Sequence, residues 1–238
     1  MKKKVIVFTG AGVSKESGIE TFRDSDGLWM NFKVEEVAHI DGWKKDRQKV
    51  LDFYNQRRSD MLTKEPNLAH KIISELQNDY NVTVITQNVD DLHEKSGSKS
   101  VIHLHGELSK VRSSIDPSII LDWSGDLKIG DKCERGSQLR PFVTWFGEDL
   151  DGGLLLRANN VVSDADVCII VGTSMQVFPA NLIPFKTPQT CLIYYVDPQD
   201  REFSIPALRE YFFYHIQEPA TSGMVKVRQE LESIFKKN

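Results

Sequence analysis

The residues best suited to chemistry come in three short segments, each at the end of an apolar run. The first is Thr9-Gly10-Ala11-Gly12-Val13-Ser14, closed by Ser17-Gly18. Glycines at a strand-to-helix turn let the backbone approach a phosphate, and the helix N-terminus adds N–H donors and the positive end of a dipole. The generic dinucleotide fingerprint asks for another glycine where Lys15 stands, so a plain tight turn stays open as a reading. Phe22-Arg23 follow shortly after, and a guanidinium there can pair with a pyrophosphate oxygen. The second segment is Thr86-Gln87-Asn88-Val89-Asp90-Asp91-Leu92-His93. Gln87, Asn88 and Asp90 can offer amide and carboxylate groups to a carboxamide or a ribose, whereas Asp91 can equally cap the next helix. The third is Val101-Ile102-His103-Leu104-His105-Gly106, where strand alternation puts both histidines on one side. A metal pair is conceivable, but no acidic ligand follows at a recognised spacing. One histidine at a strand end also suits a general base titrating near neutrality, and a satisfied structural histidine is the plain alternative.

Two later segments extend the set. Arg140-Pro141-Phe142-Val143-Thr144-Trp145-Phe146-Gly147-Glu148 joins an aromatic wall to a glycine, as an apolar channel requires. Gly172-Thr173-Ser174, within the run to Ala180, is another turn at the end of an apolar strand and suits ribose or phosphate contacts. Either segment is explicable by structure alone.

These residues need a scaffold, and the rest of the chain supplies its pattern. Candidate strands are 4–9, 82–86, 101–103, 167–172 and 192–197, rich in Val, Ile and Leu and mostly ending in Gly, Asn, His or Asp. Helical spacing of apolar residues predicts helices over 44–63, 68–78, 155–163 and 223–236. Alternation of this kind predicts an α/β fold: a Rossmann-like parallel sheet with helices on both faces, with ligands bound beyond the carboxyl ends of the strands. From about Gly106 to Arg140 the chain is polar and broken by Pro117, Gly125, Gly130 and Gly136, which predicts a small inserted subdomain.

Composition narrows the function classes. Thirty basic against 34 acidic side chains give a net charge of -4, with no electrostatic footprint for nucleic acid. The apolar run after Met1-Lys2-Lys3-Lys4 is too short for a secretory leader, and no stretch reaches the length of a membrane span. Cys133, Cys168 and Cys191 are widely spaced, without C-x-x-C, so neither a disulfide framework nor a zinc ribbon is expected, and a cytoplasmic setting is.

Taken in order, the segments resemble the sirtuin family from about Val5 to Gly223. The matches are G-A-G-V-S-x-x-S-G-I at 10–19, F-R at 22–23, G-L-W at 27–29, T-Q-N-V-D-x-L-H at 86–93, H-G at 105–106, W-F-G-E at 145–148 and G-T-S-x-x-V-x-P-A at 172–180. The resemblance implies an NAD-dependent deacylase acting on acyl-lysine proteins or peptides. Gly10, Ala11, Gly12, Ser14, Gly18, Phe22 and Arg23 would surround the NAD diphosphate, and Gln87, Asn88 and Asp90 the nicotinamide and ribose. His105 would be the general base, with Asn88 beside it in catalysis. In the family's chemistry the acyl oxygen attacks the ribose carbon bearing nicotinamide, and the products are nicotinamide, lysine and O-acyl-ADP-ribose. Gly172, Thr173, Ser174, Asp197 and Met224 would sit at the adenosine end, and Phe146 and Gly147 beside the substrate.

Ala38, Tyr54 and Arg57 are similar to the small-residue, Tyr-x-x-Arg pattern of sirtuins that remove succinyl and malonyl groups. Tyr54 and Arg57 are three apart on a predicted helix, so a phenol and a guanidinium share a face and can clamp a carboxylate. An ordinary amphipathic helix is the bland alternative. Two departures stand out: where relatives hold zinc with four cysteines this chain has Cys133 alone, so no metal is expected, and Phe142 and Thr144 replace smaller or aliphatic residues. The zinc-less subdomain is then expected to rest on Ile119, Ile120, Leu121, Trp123, Leu127 and Ile129. The expected layout is a single domain over 1–238: a core of about 1–30, 64–105 and 141–238, a helical segment of about 31–63, and the subdomain of about 106–140. Alternatives are an NAD glycohydrolase or ADP-ribosyltransferase, and a non-catalytic NAD or ADP-ribose sensor, against which the base at His105 speaks.

Overall fold

The computed structural model describes residues 2–20, 28–29, 32–199 and 212–235. Phe22, Arg23 and Gly27 lie outside the described residues. In chain order the first elements are β1 (Lys4–Thr9), the single turn α1 (Gly12–Lys15), the short pair β2 (Leu28–Trp29) and β3 (Phe32–Lys33), α2 (Val34–Val37), α3 (Ile40–Lys45), α4 (Arg47–Leu62) and α5 (Leu68–Glu75). Next come β4 (Asn81–Thr86), α6 (Leu92–Lys95), β5 (Val101–His103), β6 (Gly106–Ser113), β7 (Ile120–Asp122) and β8 (Leu139–Val143). The chain continues through α7 (Gly152–Val162), β9 (Val167–Val171), β10 (Leu192–Val196), β11 (Phe212–Ile216) and α8 (Ala220–Phe235).

Among the described residues the main sheet has six parallel strands in the order β11-β10-β9-β1-β4-β5. β1 is central, and everything in it after Lys4 is buried, as a strand with helices over both faces must be. Its side chains alternate between two cores. Val5 and Val7 meet Ile73 of α5 and Val227 of α8, while Ile6 and Phe8 meet Ala158 and Val162 of α7. From β1 the strand order runs outward one way through β4 and β5 and the other way through β9, β10 and β11. Loops leaving neighbouring strands at such a reversal diverge and open a crevice at the carboxyl edge. This is the predicted fold class, with the predicted strands in place.

Three features differ from the sequence expectation. The helix predicted over 44–63 is two helices, because Asp46 leaves helical geometry (φ −148°, ψ 85°) and its carboxylate accepts the Lys49 N–H, capping α4 afresh. β11 was not anticipated; its run FFYHI leads into Gln217-Glu218-Pro219 rather than into the Gly, Asn, His or Asp that ended most of the other strands. The inserted segment is a three-stranded antiparallel sheet, β7-β6-β8, whose last strand runs on to Val143.

The expected subdomain cluster also needs correction. Ile120 and Leu121 are exposed because β7 is an edge strand with its whole length in solvent, and Ile129 is exposed in a turn beyond it. The core there is the expected Leu127 together with Leu108, Val111, Cys133 and Leu139, packed on Leu51 and Phe53 of α4, with the expected Ile119 and Trp123 at its margin. Polar ties reinforce it. The Asn55 side chain accepts the Leu127 N–H and donates to the Leu127 carbonyl, and the Arg58 guanidinium donates to the Leu108 and Gly125 carbonyls. No helix among the described residues is long and apolar enough to cross a membrane.

Candidate functional site

The floor of the crevice is a backbone contact between the loops after β1 and β9. The Gly12 N–H donates to the Gly172 carbonyl at 2.8 Å. Gly172 has φ of +66°, and a Cβ on it would lie 2.1 Å from the Val13 nitrogen. One on Gly10 would lie 2.7 Å from the Thr173 Cβ. Only glycine permits both the left-handed backbone and the approach. The cleft above has a volume of about 1340 Å³.

Most of the predicted site residues line this cleft. Gly10, Ala11 and Gly12 come from the first loop, and Gln87, Asn88 and Asp90 follow β4. Gly172, Thr173 and Ser174 follow β9, and Asp197 follows β10. His105, Phe146 and Gly147 border it from the chain flanking the small sheet, and Ala38, Tyr54 and Arg57 from the helical segment. Three residues fall elsewhere. Ser14 is fully buried behind the wall, Gly18 closes the turn after α1 at φ +81°, and Met224 is packed into the core under α8. The cleft wall also includes Val34, Glu35, Leu150, Pro219 and Ala220, none of which the sequence reading named. Only Pro219 carried a signal, as a proline just ahead of a helical repeat.

Gln87 holds the centre together. Its side-chain amide donates to the Thr173 hydroxyl at 3.0 Å, bridging the loops after β4 and β9, and its backbone carbonyl faces His105 Nδ1 at 2.9 Å. A carbonyl only accepts, so Nδ1 carries the proton and Nε2 keeps its lone pair. Burial lowers the His105 pKa below its ordinary 6.5, the Gln87 carbonyl opposing it, so the ring is neutral at pH 7. His103, two residues earlier, points its Nδ1 at the Asn88 carbonyl and its Nε2 at Glu94. The pair is therefore divided between two tasks, and no group of three or more potential metal ligands exists among the described residues.

Behind Asn88 and Asp90 runs a buried network. The Ser14 hydroxyl donates to Asp90 Oδ2 at 3.1 Å and accepts from the Asn88 amide at 3.1 Å. His70 Nε2 approaches the same oxygen at 3.4 Å, while His70 Nδ1 accepts the Asn67 N–H. Ser14 thus orients two cleft residues from behind. Burial pushes the Asp90 carboxyl up, against the Leu92 N–H and Ser14 hydroxyl that donate to it.

At the other end Tyr54 is 2% exposed, and burial pushes its phenol up to about 12. Its hydroxyl accepts the Trp145 indole N–H at 2.8 Å. Burial lowers the Arg57 pKa, with Tyr54 and Asp90 opposing, but a guanidinium remains charged at neutral pH. Glu148 accepts the Trp145 backbone N–H at 3.0 Å and two bonds from Arg140, at 2.6 and 2.8 Å. The Arg140 guanidinium lies 3.5 Å over the Trp145 ring. Beside them Phe146 and Phe178 are exposed at the cleft mouth.

Comparison with known proteins gives a consistent result. The family described as the Sir2 family matches residues 10–179. NAD-dependent protein deacylases of Helicobacter pylori and Bacteroides thetaiotaomicron are 50% and 45% identical over 204 and 203 residues. These alignments cover 86% and 83% of this chain, and 88% and 86% of the relatives. A solved Sir2 homolog–NAD complex has a TM-score of 0.84 at 38% identity, covering 98% of this chain and 91% of that one. A structure described as the structural basis for sirtuin substrate affinity has a TM-score of 0.77 at 26% identity, covering 96% and 93%.

Proposed function

The chain belongs to the Sir2 family, and from that premise we propose that it removes acyl groups, succinyl and malonyl as well as acetyl, from protein lysine side chains with NAD. The residues present fit the dinucleotide. The glycine floor that a Cβ would fill leaves backbone exposed for a diphosphate, and amide and carboxyl groups flank it. NAD supplies the ribose that receives the acyl group, nicotinamide being the leaving group and O-acyl-ADP-ribose the product.

This chain's own residues have separable tasks. Gly10, Ala11 and Gly12 would hold the diphosphate, Asn88 and Asp90 the nicotinamide ribose, and Thr173, Ser174 and Asp197 the adenosine end. Ser14 acts through Asn88 and Asp90 rather than by touching the cofactor. His105, neutral and anchored through Nδ1, offers Nε2 to take a proton from a ribose hydroxyl. The three cysteines are unpaired, in keeping with the reducing, cytoplasmic setting we propose.

The observation that carries the acyl preference is that Ala38, Tyr54 and Arg57 share the cleft with His105. Ala38 leaves room for a branch or extension, and the phenol and guanidinium present donors and a positive charge suited to a carboxylate. The test is mass spectrometry of NAD reactions with succinyl-, malonyl- and acetyl-lysine peptides. Arg57→Met is expected to lower kcat/KM on succinyl-lysine about 10- to 100-fold, the worth of a charge-assisted hydrogen bond, and on acetyl-lysine far less. Equal losses on both substrates would remove the acidic-acyl reading. Nicotinamide release without any acyl-lysine peptide would replace the deacylase with a glycohydrolase.

A further inference from the structure

Tyr54 is fixed as a hydrogen-bond acceptor before any substrate arrives. An indole N–H only donates, so the 2.8 Å contact from Trp145 Nε1 occupies the tyrosine oxygen as acceptor and leaves the phenolic proton for another partner. Tyr54 lines the cleft beside Arg57, which has donors only. The direction of this bond is itself enforced. Trp145 is 2% exposed, its backbone N–H is bound to Glu148, and Arg140 covers its ring.

We infer that Trp145, locked by the Glu148–Arg140 pair, is a specificity-positioning residue that makes Tyr54 a one-way donor, so that this end of the cleft selects acyl groups ending in a carboxylate. The inference rests on the acidic-acyl reading above and says what enforces it. A carboxylate accepts at both oxygens and meets the phenol and the guanidinium without conflict, whereas an acyl group that must itself donate finds no acceptor on either residue. The Glu148 carboxylate would repel an acyl carboxylate, but Arg140 holds it at two points and Arg112 at a third. Burial pulls the Glu148 carboxyl up, the Arg140 hydrogen bonds outweigh it, and the group stays ionised and paired. The raised phenol pKa keeps the donated proton in place throughout the neutral range.

The test is a double-substitution cycle read as the ratio of kcat/KM on succinyl-lysine to that on acetyl-lysine peptides. Trp145→Phe keeps an aromatic ring and deletes the N–H. The ratio is expected to fall about three- to tenfold, chiefly through KM for the succinyl peptide. In a Tyr54→Phe background, where no hydroxyl remains to be oriented, the same substitution is expected to move the ratio less than about twofold. An unmoved ratio, or the same fall in both backgrounds, overturns the inference, the latter because Trp145 would then act by shape. Should Trp145→Phe not fold, Glu148→Gln in the same two backgrounds carries the test, since the amide still accepts the Trp145 N–H but loses the two-point hold on Arg140. A ratio that responds to Arg57→Met but not to Trp145→Phe defeats this inference alone. A ratio that responds to neither defeats the acidic-acyl reading and this inference with it.

Discussion

At His105 the placement of one proton decides how the ring can work. With Nδ1–H held by the Gln87 carbonyl, only Nε2 can accept, and burial keeps it unprotonated at neutral pH. The acid limb of kcat/KM is therefore expected below pH 6.5, where an ordinary histidine would already be half charged; a limb above 6.5 would contradict the geometry. His105→Ala is expected to reduce turnover about 10²- to 10⁴-fold while ADP-ribose still raises the melting temperature, because the role we propose for the ring is proton transfer and it forms no part of the floor. The gathering of His105, Asn88 and Tyr54 on one cleft was legible in the sequence because each sits in a local pattern marked by residue type. Ser14 and Met224 were not, since whether a side chain faces a cleft or the core depends on helices far away in the chain. The bond from Trp145 to Tyr54 spans 91 positions and has no local signature.

At the scale of elements, what could be read was what is buried on both faces. β9 and β10 are apolar throughout, β1 is apolar between Lys4 and Thr9, and β4 carries Val82, Val84 and Ile85 between polar positions; each runs into a Gly or a polar residue, so their limits were visible to within a residue. The small sheet was invisible because a register shift between Glu107 and Val111 breaks the alternation of β6, because β7 is exposed throughout, and because polar ties from Asn55 and Arg58 on α4 supply part of its support. That support bears on the missing cysteines. With Leu108, Val111, Leu127, Cys133 and Leu139 packed on α4, the subdomain has an apolar and hydrogen-bonded anchor of its own. Metal analysis of the purified protein is expected to find well under about 0.1 zinc per chain, and a strong chelator to leave the melting temperature within about 1 °C. Stoichiometric zinc, or a chelator-induced drop of several degrees, would reverse that.

Across the whole molecule the buried imidazoles set the response to acid. Burial holds His70 down to about 4 and His93 well below its ordinary value, and His105 is lowered too. For groups whose folded pKa is depressed, the unfolded chain binds protons first. Their stabilisation is complete above pH 6.5 and drains as the pH falls from there toward 4, by about 3 kcal/mol for His70 alone. His103 has the opposite sense: burial pulls it down, Glu94 outweighs this, and the net rise gives a contribution that is full below 6.5 and lost as the pH climbs through the raised value. Asp90, pushed up by burial, opposes the drain over the lower part of the window. The urea midpoint is expected to fall clearly between pH 7 and pH 5, and His70→Asn to flatten that fall; an unchanged slope would argue that His70 is not held neutral.

The contact between Gly12 and Gly172 has a temporal meaning as well. Half of the proposed phosphate cradle is synthesised with β1 and the other half only after β9, and neither half is complete without the other. A growing polypeptide that has exposed its first loop still has nowhere to seat the dinucleotide. Capture of the co-substrate therefore marks the moment when the central strands have closed on one another, and it draws the finished sheet away from every partly assembled precursor by mass action.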